Sequence, residues 1–580
     1  MTNEEKIIEL RNRLKGDLSG IDVLVIIRAK DALKNLLYAE ITKTKDKNDI
    51  YKCKEMDDLA QEIIELGTKI IGDENLANQQ YLYETIKECY QFRGRRYFKD
   101  FLIAIEWNFA KDAKLYDIRK IVFDEWIQYL QDLEYGILRG LSISAPPRTG
   151  KTALGTMFFM WCMLRHPEKS CFFVSHTAAM AKKVYTDILM YLTDEKKEIK
   201  SVFPEFEIKG QNAEDLWIQL KSESSNPYHT AYFRGIDGNM AGILEASWLL
   251  YCDDLIKNIE EAMNPARLET ANTKYGVDIT QRKANKGVRE LHIATRWSTA
   301  DVISSLEKEF GKDPMWRFIR RPALNDDNSS NFMYEGDFAL DTEYFMRQRN
   351  LPMMDEISFS CIYQQEPIDR EGLFVKEEDL KYYNGELPPG ECDFVGSACD
   401  VAWGGGDYLS MPIVKVYGTA VYVTDVVYNN QSKTVTKPIV MGKILKENVE
   451  KAYFEANNGG EEYGDDIKRV LKEEHDYKGL IMSEKAPGNK SKLTRILAAR
   501  DEITGISPNY QLIFLDKEHR SQEYALFMKH ILLFNTSAKF QGRQKDDCVD
   551  SLSMIVAHIL ESRVQRAAVK SEYSRGDLDI

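Results

Sequence analysis

Two α/β domains in series, behind a helical extension, are what this 580-residue sequence predicts. Three observations carry that prediction. Between about 115 and 325, short apolar runs of β type alternate with helical runs. One of them, Leu141-Ser-Ile-Ser-Ala145, feeds a loop ending in Gly150-Lys151-Thr152. Beyond about 390 a second strand-and-helix pattern begins, with carboxylates at the ends of separate elements.

The length alone asks for two or three cores. Hydrophobic residues make up 43% and aromatics 11%, ample for packed globular domains. A net charge of -14, with a pI near 5.4, excludes a chain coated in positive charge but leaves room for a local basic channel. The nine cysteines form no C-x-x-C pair and no cluster with histidine. That argues against a structural zinc or a disulfide framework and suits a reducing cytoplasm. The start, MTNEEKIIELRNRLKGD, is charged and helical rather than a signal peptide. No apolar run approaches the roughly 18 residues of a membrane span. A soluble intracellular protein with no membrane partner is expected.

Residues 1–114 read as a mixed-charge helical extension. Its cluster Arg93-Gly-Arg-Arg-Tyr-Phe-Lys99 could touch phosphate or be a solvated helix end. Residues 115–325 follow the pattern LSISA, helix from about 151 to 165, CFFVSH, helix from about 178 to 193, then WLLYCDD and LHIATRW. Apolar strands separated by helices imply a parallel sheet covered on both faces. A linker region, 326–390, carries Asn, Asp, Gly and Pro punctuation. The second domain, 391–565, places strands at FVGSACDVAW, at PIVKVYGTAVYVTDVVY (two strands turning at Gly418), and at YFEAN, GLIMSE and QLIFLD. Two helices, about 522–534 and 546–563, and a polar tail, 566–580, close the chain.

A strand, a tight loop and a helix N-terminus make a phosphate cradle, because backbone N–H groups and the helix dipole point at the anion. In APPRTGKT, Arg148, Thr149 and Gly150 line the loop, Lys151 would reach the terminal phosphates of ATP, and Thr152 would ligate Mg2+. Ala145 stands where G-x-x-x-x-G-K-[ST] has its first glycine, so this is a variant P-loop. LLYCDD supplies the complement: Asp253 to hold the magnesium through its water shell, Asp254 to orient the attacking water. A strand end simply solvated in a loop is the plainer reading of that pair. Thr295 and Arg296, ending LHIATRW, sit where a γ-phosphate sensor would sit, or where a buried strand end has no catalytic task. Arg148 could act as an arginine finger in cis or form a local salt bridge.

The second domain carries Asp400 ahead of the run Gly404-Gly-Gly-Asp407, Glu455 ending a strand, and Asp546, Asp547 and Asp550 opening a helix. Asp547 and Asp550 share a face at i, i+3. Carboxylates gathered from distant segments, without Cys or His, suit two hard divalent cations, Mg2+ or Mn2+, of the kind that cleave phosphodiesters. Acids on a first strand, a later strand and a late helix are the order of an RNase H-like nuclease. Singly, each acid could be a cap or a solvated loop residue, Asp546 above all.

The succession APPRTGKT, LLYCDD, IATRW, IYQQEPIDREGLF (362–374) and a carboxylate nuclease resembles the large terminase subunit of tailed bacteriophages, over about 115 to 565. KDDCVDSL and Lys492-Leu-Thr-Arg495 add to the resemblance. It implies a P-loop ATPase domain of the RecA-like (ASCE) class joined to an RNase H-like nuclease. It also implies a DNA-packaging motor that drives double-stranded DNA into a procapsid and cuts concatemers. By the same resemblance Lys151 and Thr152 bind triphosphate and magnesium, and Asp253 and Asp254 form the Walker B pair. Thr295 couples hydrolysis to movement, while Asp400, Glu455 and Asp547 or Asp550 ligate the nuclease metals. Some relatives place an arginine finger where this chain has Pro147. The implied partners are the portal of the procapsid, a small terminase subunit and further copies in a ring. The implied place is the cytoplasm of an infected bacterium, not the mature virion. RKANKGVR (282–289) and KSKLTR (490–495) are candidate phosphate contacts or solvated basic loops.

Two rivals stand beside this reading. An ATP-driven helicase or translocase without nuclease activity would share everything up to about 325. A nucleotide-gated assembly protein would bind ATP without DNA-stimulated turnover.

Overall fold

A computed structural model of the chain describes residues 2–43, 53–222, 226–240, 244–262, 264–334, 339–351, 354, 356–367, 372–401, 407–456, 460–484, 491–536 and 544–560. Gly404–Gly406, residues 368–371 of the stretch IYQQEPIDREGLF, Lys490 and the polar tail lie outside them. The chain divides into two compact units. The first comprises Met1–Met346 with Ser360–Pro367; the second comprises Arg347–Phe359 and the chain from Ile368 on.

The first unit begins with helices Asn3–Lys15, Val23–Ile41, Lys54–Ile70, Leu76–Gly94, Phe98–Ile105 and Leu115–Glu134. The cluster 93–99 is neither a phosphate contact nor a solvated helix end. Arg93 bonds Asp100 at 2.7 Å and Asp57 at 3.1 Å, and Arg96 bonds Asp57 at 2.7 Å. These ion pairs stitch helices together inside the unit.

Eight strands follow: β1 Gly140–Ser144, β2 Cys171–Ser175, β3 Ile208–Asn212, β4 Trp217–Leu220, β5 Ala231–Gly235, β6 Leu249–Asp253, β7 Arg289–Ala294 and β8 Trp316–Arg320. They form one sheet, ordered β3-β4-β5-β2-β6-β7-β1-β8. From β5 to β8 every pairing is parallel, while β3 and β4 add an antiparallel edge. Strands β1, β2 and β6 are buried throughout, as their unbroken apolar character requires. The helix Lys151–Arg165 lies against this sheet at Gly155, where an added Cβ would collide with the Tyr251 hydroxyl and come within 2.5 Å of Ile293 Cδ1. Strand β7 lies between β1 and β6, which is the order of the RecA-like class.

The second unit holds β9 Lys381–Tyr383, β10 Phe394–Cys399, β11 Leu409–Tyr417, β12 Ala420–Asn429, β13 Lys451–Glu455, β14 Leu480–Glu484 and β15 Gln511–Leu515. Their order is β14-β13-β10-β11-β12-β15-β9. Strands β10, β11 and β12 form an antiparallel meander whose turn is made by Gly418 at φ 61°. Strands β13 and β14 then extend it in parallel. Counted from β10, the first five strands run 3-2-1-4-5, the RNase H-like arrangement. The helices Gln522–Leu533 and Asp547–Met554 bury Phe527, Ile531, Val549 and Leu552 in the core on one face of this sheet.

Candidate functional site

In the first unit the C-terminal ends of β1, β6 and β7 bring the expected residues together. Gly150 caps the helix Lys151–Arg165 with φ 90°, and Arg148 also takes a left-handed φ of 67°. Ala145 does not: it is absent from the positive-φ residues, so the position has no steric need for glycine. Its carbonyl instead accepts a hydrogen bond from Lys151 Nζ at 3.0 Å. Thr149 Oγ1 donates to Pro146 O at 2.9 Å, closing the loop on itself.

Lys151 Nζ also donates to Thr295 Oγ1 at 2.9 Å, and Thr152 Oγ1 donates to Asp253 Oδ1 at 3.1 Å. Asp253 is fully buried beside Tyr251, whose hydroxyl donates to the same oxygen at 3.1 Å. Burial, then the neighbouring Asp254 charge, raises its pKa. Asp254 sits at φ 43°, and its Oδ1 accepts from the Thr295 backbone N at 2.8 Å. The lysine, the hydroxyl, both aspartates and Thr295 therefore share one edge of the sheet. A buried cation over a loop of backbone donors, next to a threonine hydroxyl on a carboxylate, fits a nucleotide triphosphate with one Mg2+. Arg148 is exposed on the loop.

Three residues to which the sequence pattern assigns no role complete this edge. His176, following β2, has Nδ1 3.0 Å from the Asp254 carbonyl. Tyr334 donates its hydroxyl to Thr149 O at 3.1 Å. Gln365 Oε1 accepts from Arg296 N at 3.1 Å. No spacing signal identifies them, because each arrives from a distant part of the chain.

In the second unit, Asp400 follows β10 and Glu455 ends β13, its parallel neighbour. Asp547 Oδ2 accepts from Tyr408 N at 3.1 Å, and Asp550 is almost fully buried. Burial pushes the Asp400 carboxyl up to about 7, with Lys492 opposing and Asp550, Asp547 and Glu455 adding to the rise. Asp400, Glu455, Asp547 and Asp550 are thus close enough for their charges to bear on one another. Asp546 occupies the cap position of its helix but makes no side-chain cap. It pairs instead with Lys492 Nζ at 2.9 Å.

Lys492 reaches further, to Asp400 Oδ2 and Asp550 Oδ2, each at 3.3 Å. Arg495 Nη2 lies 3.0 Å from Asp550 Oδ2 and 3.5 Å from Glu455 Oε2. Lys492 and Arg495, from the candidate phosphate-contact stretch, thus supply counter-ions to the acids. The other stretch, 282–289, is also committed locally. Lys283 pairs with Glu290 at 2.6 Å, and Arg289 lies 3.9 Å over the Trp248 ring. All-oxygen donors fit hard divalent cations in kind. Among the described residues, however, no three acids converge as an ion-holding group, and two side-chain cations stand between them.

No protein-family model matches the sequence, and no curated protein matches it. Solved structures similar to the chain include several large terminases. The large terminase of a thermophilic bacteriophage, in complex with ADP, is 11% identical over 74% of this chain and 98% of that one, with a TM-score of 0.26. The HK97 bacteriophage large terminase is 11% identical over 74% and 93%, with a TM-score of 0.31. The nuclease domain of the bacteriophage SPP1 large terminase with bound Mn is 14% identical over 32% and 99%, with a TM-score of 0.23. Likeness at this distance carries no argument of its own; the class of the two domains rests on strand order and on the residues at their edges.

Proposed function

We propose that the chain is the motor subunit of a viral DNA-packaging machine. On this reading ATP hydrolysis in the first unit drives double-stranded DNA into a procapsid, and a divalent-metal-dependent endonuclease in the second unit cuts concatemers. The observation that carries the reading is the pairing, in one polypeptide, of two edges: Lys151, Thr152, Asp253, Asp254 and Thr295 on a parallel sheet, and Asp400, Glu455, Asp547 and Asp550 on a 3-2-1-4-5 sheet.

Lys151 and the loop N–H groups would hold the triphosphate, and Thr152 and Asp253 would hold its magnesium. Asp254, fixed by the Thr295 peptide, orients the attacking water, and Thr295 passes the change at the γ-phosphate onward. In the second unit, Asp400, Glu455 and Asp547 or Asp550 would hold the two cations, which would supply an activated water and charge stabilisation of the leaving oxygen. A portal, a small terminase subunit and further copies of the chain in a ring are the partners this work requires, in the cytoplasm of an infected bacterium.

A second reading has an observation of its own. Lys492 and Arg495 neutralise the carboxylates from within, which favours a translocase whose nuclease-like domain is silent. DNA cleavage separates the two readings. For the nucleotide site, Lys151→Ala is expected to abolish ATP hydrolysis and leave metal-dependent cleavage intact. Unchanged hydrolysis would overturn the assignment.

A further inference from the structure

We infer that Gln365 is a positioning residue for the ATP site, its amide holding the Arg296 peptide so that Thr295 stays in register with Lys151 and Asp254. The inference rests on the nucleotide reading above. Gln365 lies in the segment Ser360–Pro367, which belongs to the first unit although the chain on either side of it belongs to the second.

The residue is fully buried and has φ 58°, a left-handed conformation that is unfavourable for a non-glycine residue. A side chain kept there must return something. Its Oε1 accepts from Arg296 N at 3.1 Å, and its Nε2 donates to Ile362 O at 2.6 Å. Arg296 is itself buried, and its guanidinium is occupied with Ser304 Oγ at 2.7 Å and Glu307 at 3.3 Å. Its backbone N–H donates to Gln365, and a buried N–H without an acceptor is costly.

The peptide on the other side of Thr295 is held as well. Thr295 N donates to Asp254 Oδ1 at 2.8 Å, while Thr295 Oγ1 receives Lys151 Nζ at 2.9 Å. Two consecutive N–H groups, anchored on Asp254 and Gln365, thus hold the Thr295 backbone while Lys151 engages its hydroxyl. A catalytic group held by a single anchor would swing, and sub-ångström placement is what positioning contributes to rate.

The adjacent amide does different work. Gln364 brackets one residue, accepting from Leu324 N at 3.0 Å and donating to Leu324 O at 3.0 Å. Glu366 N donates to Ser360 O at 3.0 Å, and Ala323 N to Tyr363 O at 2.8 Å. These bonds seat the segment; Gln365 is directed at the strand end beside the lysine. The two neighbours therefore supply a matched pair for experiment.

The test uses the full chain with Gln365→Met, which keeps length and loses the amide, beside Gln364→Met. Steady-state ATPase, binding of a fluorescent ATP analogue and thermal melting are measured for both and for wild type. The inference expects Gln365→Met to lose at least about tenfold in kcat with nucleotide Kd within about twofold, and Gln364→Met to lose melting temperature while keeping kcat within about twofold. Wild-type kcat in Gln365→Met would overturn it, as would a parallel loss of kcat and stability in both variants. Hydrolysis absent from wild type would overturn the nucleotide reading together with the inference. Hydrolysis present in wild type and unchanged in Gln365→Met overturns the inference alone. Should Gln365→Met not fold, Gln365→Glu, which keeps the acceptor for Arg296 N–H, must retain kcat within about threefold, and a tenfold loss there overturns the inference.

Discussion

Lys151 Nζ lies 2.9 Å from Thr295 Oγ1, although 144 residues separate the two in sequence. Parallel pairing of β1 with β7 makes this meeting unavoidable. Ser144 is in register with Ala294, so the loop that follows one strand faces the residue that follows the other. The residue that would sense the γ-phosphate is thereby in contact with the residue that would bind it.

Replacing Thr295 by Val keeps its shape and removes the hydroxyl that receives Lys151. Steady-state kinetics are expected to show kcat lowered about tenfold, or ~1.4 kcal/mol of transition-state stabilisation, with KM little changed. A rise in KM at constant kcat would instead make the hydroxyl a simple binding group.

Lys492 competes with any cation for Asp400, Asp546 and Asp550. Burial opposes its charge, yet these carboxylates hold its pKa above the usual lysine range. In Lys492→Gln the competitor is gone and the acids repel one another. The metal-free variant is expected to melt at a lower temperature. Its Mn2+ affinity, followed by electron paramagnetic resonance, is expected to rise about fivefold, ~1 kcal/mol. Weaker Mn2+ binding would show that Lys492 helps to build the site rather than block it.

Glu106 offers a probe of stability. It is buried, and burial pushes its carboxyl up to about 7, against backbone donation from Leu115 and Tyr116. The folded state therefore holds its proton more tightly than the unfolded chain, whose group titrates near 4.5. This contribution to stability is complete below pH 4.5 and is lost as pH rises through 7, by on the order of 3 kcal/mol. Denaturation of wild type and Glu106→Gln at pH 5 and pH 8 checks it: the difference between the two pH values should shrink in the variant.

Much of this architecture is legible in the sequence because its central strands are apolar on both faces. CFFVS and LLYCD can only be buried strands once helices lie on either side of them, and the turn at Gly418 is marked by a glycine between two β-branched runs. Strands β3, β4, β5, β8 and β9 are not legible. IKGQN is polar and WRFIR carries exposed arginines, because both lie at the edges of the sheet and need little burial. The acids can be named from their order, since strand ends and helix starts place them. Lys492 and Arg495 read as phosphate contacts or as part of a solvated basic loop, because a basic run in isolation gives no sign of the carboxylates it will meet. Gln365 lies inside a recognisable motif, yet its role depends on a left-handed backbone and on Arg296, neither of which a linear pattern reveals.

The measurement that bears most directly on the account is cleavage of supercoiled plasmid in Mg2+ or Mn2+ by the full chain, wild type beside Asp400→Asn, with ATP hydrolysis followed in the same preparations. The account predicts that wild type cleaves, that Asp400→Asn loses at least about a hundredfold in cleavage rate, ~3 kcal/mol, and that hydrolysis is the same in both. Equal cleavage by the two proteins, or none by either while ATP is hydrolysed, would contradict a motor and a nuclease in one chain.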